Sequence, residues 1–174
     1  MKERFLASPV AVCLGVATCA LLAAPLFAAD GTKGKLTVGG TPVAMTYTYA
    51  YFDKTFNEGK DAVVVVLTDA PLPADAVQSS YARNKLVEAG QLSYVELMVS
   101  PEKQEIHYEV QDKHFGMMMQ PSGDDSDHVL EVKTLDGKTI AGHARTVSAQ
   151  KSLDDVSYSY DITISAEIAP AKQN

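Results

Sequence analysis

Cysteine is almost absent from this 174-residue chain: Cys13 and Cys19 are the whole supply, and both sit near the N-terminus. Tryptophan is missing altogether. Beyond Cys19 there is accordingly no disulfide, thiolate zinc site, iron–sulfur cluster or thiol nucleophile. Basic charge is scarce too, with 15 Lys and Arg against 22 Asp and Glu. A surface this acidic repels phosphate, which argues against nucleic acid and anionic lipid as partners. Catalytic signatures are missing as well. No HExxH, GxSxG or cofactor-binding motif links the four histidines to a nucleophile or a metal-bound water. From the residues alone a non-enzymatic domain is the preferred reading, with a hydrolase as an open alternative, and no cofactor is expected.

The N-terminus has the form of a secretory signal. Lys2 and Arg4 make a positive start, and Val10 to Ala24 is apolar or small except for Thr18. Pro25 breaks the run, and Ala28-Ala29-Asp30 offers small residues for cleavage after Ala28 or Ala29. Residues 1–29 are therefore expected to be a leader and residues 30–174 one exported domain, periplasmic or secreted. The apolar stretch is short for a span of roughly 20 residues, which disfavours an uncleaved anchor. A lipoprotein reading through Cys19 fits poorly, because a second apolar run follows it where a polar tether should begin. With Lys2, Glu3 and Arg4 removed, 13 basic residues face 21 acidic ones, a net charge of −8. Without disulfides the domain must rest on a hydrophobic core, and its length is sufficient to bury one.

Alternation with period two dominates that domain. Tyr158, Tyr160, Ile162, Ile164, Ala166 and Ile168 share one face, opposite Ser157, Ser159, Asp161, Thr163, Ser165 and Glu167. Val43, Met45, Tyr47, Tyr49 and Tyr51 alternate likewise. Leu36 and Val38 run into Gly39-Gly40, so residues 34–51 read as a hairpin. The run Ala62-Val63-Val64-Val65-Val66-Leu67 reads as a central strand covered on both sides. Strands are expected again over 92–99 and 105–110, and on either side of the Asp136-Gly137 turn. One short helix is expected over residues 75–89, capped by Asp75 and ended at Gly90, lying across an open end. The fold class is mostly β: an antiparallel β-sandwich or small barrel with one short helix.

Few residues suggest chemistry. Met117-Met118-Met119 follows His114 by three positions, and thioether with imidazole suits Cu(I). On a strand, Met117 and Met119 would share a face, making His114, Met117 and Met119 the candidate metal ligands. The competing reading is gap-filling, for which methionine is well suited. Asp124, Asp125 and Asp127 could serve Ca²⁺, although their spacing is not that of an EF-hand, and a solvated turn accounts for them. Ser100-Pro101-Glu102-Lys103 and Ser148-Ala149-Gln150-Lys151 match SxxK without the companion motifs of penicillin-binding enzymes. Tyr47, Tyr49, Tyr51, Tyr158 and Tyr160 would form one aromatic layer if the terminal strands pair, as core lining or as a binding face.

Several of these segments occur together in a known combination. Gly34-x-Leu36-x-Val38-x-Gly40, Tyr49-Ala50-Tyr51, Leu67-Thr68-Asp69-Ala70-Pro71-Leu72-Pro73 and Tyr158-Ser159-Tyr160-Asp161 resemble uncharacterised secreted β-sandwich proteins of Gram-negative bacteria. That resemblance implies a location and a fold and supplies no catalytic residues. Three functions follow as expectations: a binding or accessory domain for a protein or envelope component, a Cu(I) carrier, or a hydrolase with a dispersed triad.

Overall fold

The computed structural model describes residues 33–57, 60–102, 104–116, 122–123 and 127–170. The expected leader lies outside these residues, as do Met117, Met118, Met119 and Asp124 and Asp125 of the acidic loop.

The described chain is mostly β. Its strands are β1 (Lys33–Val38), β2 (Thr41–Met45), β3 (Tyr47–Asn57), β4 (Lys60–Thr68), β5 (Tyr94–Val99), β6 (Glu105–Gln111), β7 (Ser122–Gly123), β8 (His128–Leu135), β9 (Thr139–Thr146), β10 (Gln150–Lys151) and β11 (Ser157–Ala169). Two helices, α1 (Ala74–Val77) and α2 (Ser80–Glu88), connect β4 to β5. The strands join into one curled open sheet, a half-barrel, in the order β2-β1-β11-β3-β4-β5-β6-β7. Strand β9 takes the other edge of β11, with β8 beyond it.

The last strand is the hub. Residues 158–163 of β11 pair with β1, and residues 161–167 pair with β9. Ile168 and Ala169 then run parallel to Ala50 and Tyr51 of β3, so one strand stitches both halves of the sheet together. Its alternation is as expected: Tyr158, Tyr160, Ile162, Ile164 and Ala166 are buried. They meet Leu36 and Met45 from one half and Val65, Leu67, Val95, Leu97 and Val110 from the other. Close coiling needs Gly34 in β1. A Cβ there would stand 2.3 Å from the Asp161 carbonyl oxygen, nearer than any side chain can approach.

Strand β4 is covered on both sides, which explains its unbroken apolar run. Val63, Val65 and Leu67 face the core inside the curl. Ala62, Val64 and Val66 face outward against Ala76, Val77 and Val87 of the helices. The helical segment is thus two helices packed on the outer face of the sheet, and it does not lie over an open end. Ser79 makes the break. Its backbone is extended (φ −135°, ψ 102°), and its Oγ accepts from the Ala82 N–H at 3.3 Å, capping α2. Asp75 caps nothing, since Pro73 stands before α1.

Two further expectations change. The glycine hairpin is real, with Gly39 and Gly40 at φ 57° and 81°, but its return strand ends at Met45. Thr46 carries the chain across to the other half, where its N–H bonds to the Thr68 carbonyl. The tyrosines consequently separate. Tyr49 and Tyr51, opposite Val66 and Val64, face the helices, while Tyr158 and Tyr160 face the interior of the curl. Both pairs line core, in two layers where one was expected.

Candidate functional site

A cleft of about 170 Å³ opens where four connections meet at one end of the sheet. Val38, Thr41 and Val43 come from the first hairpin, and Asp69 from the corner after β4. Gly90, Leu92 and Ser93 come from the link between α2 and β5, and Asp112, Lys113 and His114 from the chain leaving β6.

Asp112 organises this end. It is 3% exposed, and its carboxylate is fully engaged. Oδ2 accepts from Ser93 Oγ at 2.7 Å. Oδ1 accepts from the His114 N–H at 2.9 Å and lies 2.5 Å from His114 Nδ1. An aspartate bonding the backbone two residues on is an Asx turn, the local reason the chain bends here. Phe115 fastens the bend from below, buried edge-on against Tyr158 with ring centroids 6.0 Å apart. The neighbouring His114 is left half exposed, its side chain 53% accessible. Because an ionised carboxylate only accepts, Nδ1 carries a proton in this contact, and in the neutral ring Nε2 then presents a lone pair.

Asp69 and Ser93 form the second wall. Ser93 N–H donates to Asp69 Oδ1 at 2.8 Å, and Asp69 N–H donates to the Ser93 carbonyl at 3.3 Å. The serine is thus held through its backbone by one aspartate and through its hydroxyl by the other. Ser93, Asp112 and His114 have the composition of a catalytic triad in a different order. In a nucleophilic triad the imidazole sits between hydroxyl and carboxylate. Here the carboxylate occupies the middle, and Ser93 Oγ donates to it, so the serine is not activated by this histidine.

Of the residues singled out in the sequence, His114 is at this cleft, whereas Met117 and Met119 lie outside the described residues. Among the described residues no group of three or more His, Cys, Asp or Glu side chains is arranged to hold a metal. His143 is elsewhere, its Nε2 2.8 Å from Asp161 Oδ1 across neighbouring strands. Ser100 and Pro101 belong to the β5–β6 turn, and Ser148 to a loop, so neither SxxK serine begins a helix. Asp69, Ser93 and Asp112 were missed. Asp112-Lys113-His114 carried a legible turn signal, but the other two are brought in by tertiary contacts 24 and 19 residues apart in sequence.

A second polar assembly lies under α2. Arg83 is completely buried and pairs through Nη2 with Glu96 Oε2. Its Nη1 donates to the carbonyls of Ala76 at 3.1 Å and Val77 at 2.8 Å, closing the C-terminal end of α1. The guanidinium sits 5.2 Å from the centre of the Tyr94 ring. The Tyr94 hydroxyl is 2.7 Å from Asn84 Oδ1 and 2.9 Å from Glu109 Oε1. Burial raises the Glu96 carboxyl against the opposing pull of Arg83, and its cross-strand neighbour Glu109 raises it further. Burial, with Glu96 adding, also pushes the Tyr51 hydroxyl up to about 12. The arrangement is a clamp that fixes both helices to the sheet.

No helix among the described residues is long and apolar enough to cross a membrane. Compared with protein-family models, curated proteins and solved structures, the chain matches none. Fold and cleft together describe a mostly β half-barrel with a small cleft of mixed polar and apolar lining at one end.

Proposed function

We propose that this is an exported, non-enzymatic binding protein of the periplasm or the secreted space, and that the cleft around Asp112 holds a small polar ligand. One observation carries the reading. Asp112 is buried and saturated by Ser93 and His114, so the pocket is ordered before any ligand arrives, and its half-exposed imidazole needs no rearrangement to engage one. The volume favours a small molecule, being below the about 300–1,000 Å³ of drug-sized sites. The leader-like N-terminus, the cysteine-free domain and the resemblance to secreted β-sandwich proteins of Gram-negative bacteria support export. The net charge supports a protein or envelope component over nucleic acid as partner.

The test is native mass spectrometry of protein recovered from the compartment to which it is exported. A small-molecule adduct should be present, and it should be lost in Ser93→Ala and His114→Ala. The small-molecule fraction of an envelope extract should also shift the amide resonances of Ser93, Asp112 and His114. An adduct-free protein whose resonances do not move in that extract would refute the assignment.

A second reading retains Cu(I) on His114, Met117 and Met119. It is favoured by the Asp112–His114 bond, because a metal-ligating histidine characteristically donates its other ring N–H to a carboxylate. On this reading the protein retains one Cu(I) per chain against a competing chelator, and Met117→Ala abolishes retention. Failure to retain copper under reducing conditions would eliminate it.

A further inference from the structure

We infer that the ligand of this cleft is a small zwitterion, an α-amino acid with an apolar side chain. The inference rests on the cleft being a ligand site at all, as proposed above, and adds the chemistry of what it takes.

The chemistry of the ligand follows from which atoms of the cleft are already used. The carboxylate of Asp112 is filled by Ser93 and His114 and has little capacity left for a ligand. Asp69 spends Oδ1 on the Ser93 N–H. Among the described residues, nothing else pairs with Asp69 Oδ2, Lys113 Nζ or His114 Nε2, and all three residues line the same cleft. A carboxylate oxygen and the lone pair of a neutral imidazole are acceptors, and the third atom is an ammonium donor. Two acceptors suit a ligand ammonium, which has three N–H bonds to donate. A lysine suits a ligand carboxylate. Val38, Val43 and Leu92 line the rest, offering burial to an alkyl group at about 25 cal/mol per Å². A simple cation would meet repulsion from Lys113, and a simple anion would meet Asp69. A molecule carrying both charges close together satisfies each group.

Three probes separate these contributions: L-leucine, L-leucinamide, which lacks the carboxylate, and N-acetyl-L-leucine, which lacks the ammonium. Titrations followed by calorimetry and by the amide resonances of Ser93 and His114 should show leucine at least tenfold tighter than either analogue. Asp69→Asn keeps an oxygen for the Ser93 N–H. It should weaken leucine at least tenfold and not weaken N-acetyl-leucine, an anion relieved of the Asp69 repulsion. Lys113→Met should weaken leucine and not weaken leucinamide, a cation relieved of the Lys113 repulsion. Equal affinity for the three probes, or no binding of leucine, overturns the inference. If leucine fails while the envelope extract still shifts Ser93 and His114, the zwitterion falls and the ligand cleft stands. If the extract fails too, both fall.

Discussion

Ser93 Oγ donates to Asp112 Oδ2 at 2.7 Å, joining the start of β5 to the end of β6 beneath the cleft, with both side chains buried. A buried acceptor that loses its donor suffers the desolvation cost without compensation. Ser93→Ala should therefore destabilise the protein by about 1–3 kcal/mol. Urea denaturation would detect this as a lower midpoint with an unchanged slope. A variant as stable as the parent would mean that the bond contributes nothing.

Arg83 and Glu96 make a stronger prediction. Removing the guanidinium leaves a carboxyl 7% exposed without its partner. Arg83→Met should cost about 3–5 kcal/mol, and the double variant with Glu96→Gln should recover part of that loss. Thermal unfolding of the two singles and the double gives the coupling. Strictly additive effects would show that the pair does not act as a unit.

High pH should loosen the same region. Folding raises the Tyr51 hydroxyl from its ordinary value near 10 to about 12, so its contribution is intact below pH ~10. That contribution is lost as pH rises from ~10 through about 12, where the folded protein must ionise a buried phenol. Alkaline denaturation monitored by circular dichroism should begin at higher pH in Tyr51→Phe, which has no proton to lose. An unchanged alkaline midpoint would contradict this. Tyr94, also raised by burial, leaves a residual transition in the variant.

Export and metal dependence are tested on the same preparation. If the leader is cleaved as proposed, intact-mass analysis of protein recovered from the envelope or medium should give an N-terminus at Ala29 or Asp30. Retention of Met1 on a membrane-bound product would exclude the leader. EDTA together with reductant should leave the melting temperature essentially unchanged, because no disulfide exists past Cys19 and the core is apolar. A large drop under EDTA would reveal a structural ion.

The elements differ in how far local sequence determines them. The alternation from Ser157 to Ala169 and the apolar run of β4 are local patterns imposed by a two-residue side-chain period, so strand identity and buried face were legible. So were the turns at Gly39-Gly40 and Asp136-Gly137, since positive φ favours glycine at close range. The break at Ser79 was legible in principle, because serine is a strong N-cap, but continuous apolar spacing masked it. Which strands become neighbours was not written locally. That β11 serves β1, β9 and β3 together, and that Thr46 sends two tyrosines to a different layer from their partners, depends on how the sheet curls. The cleft divides in the same way. Asp112 and His114 meet through a two-residue turn and belong to sequence, whereas Ser93 and Asp69 reach them only because pairing of β4, β5 and β6 aligns their ends. Periodicity is a property of neighbouring residues, and a cleft assembled from four connections is a property of the folded sheet.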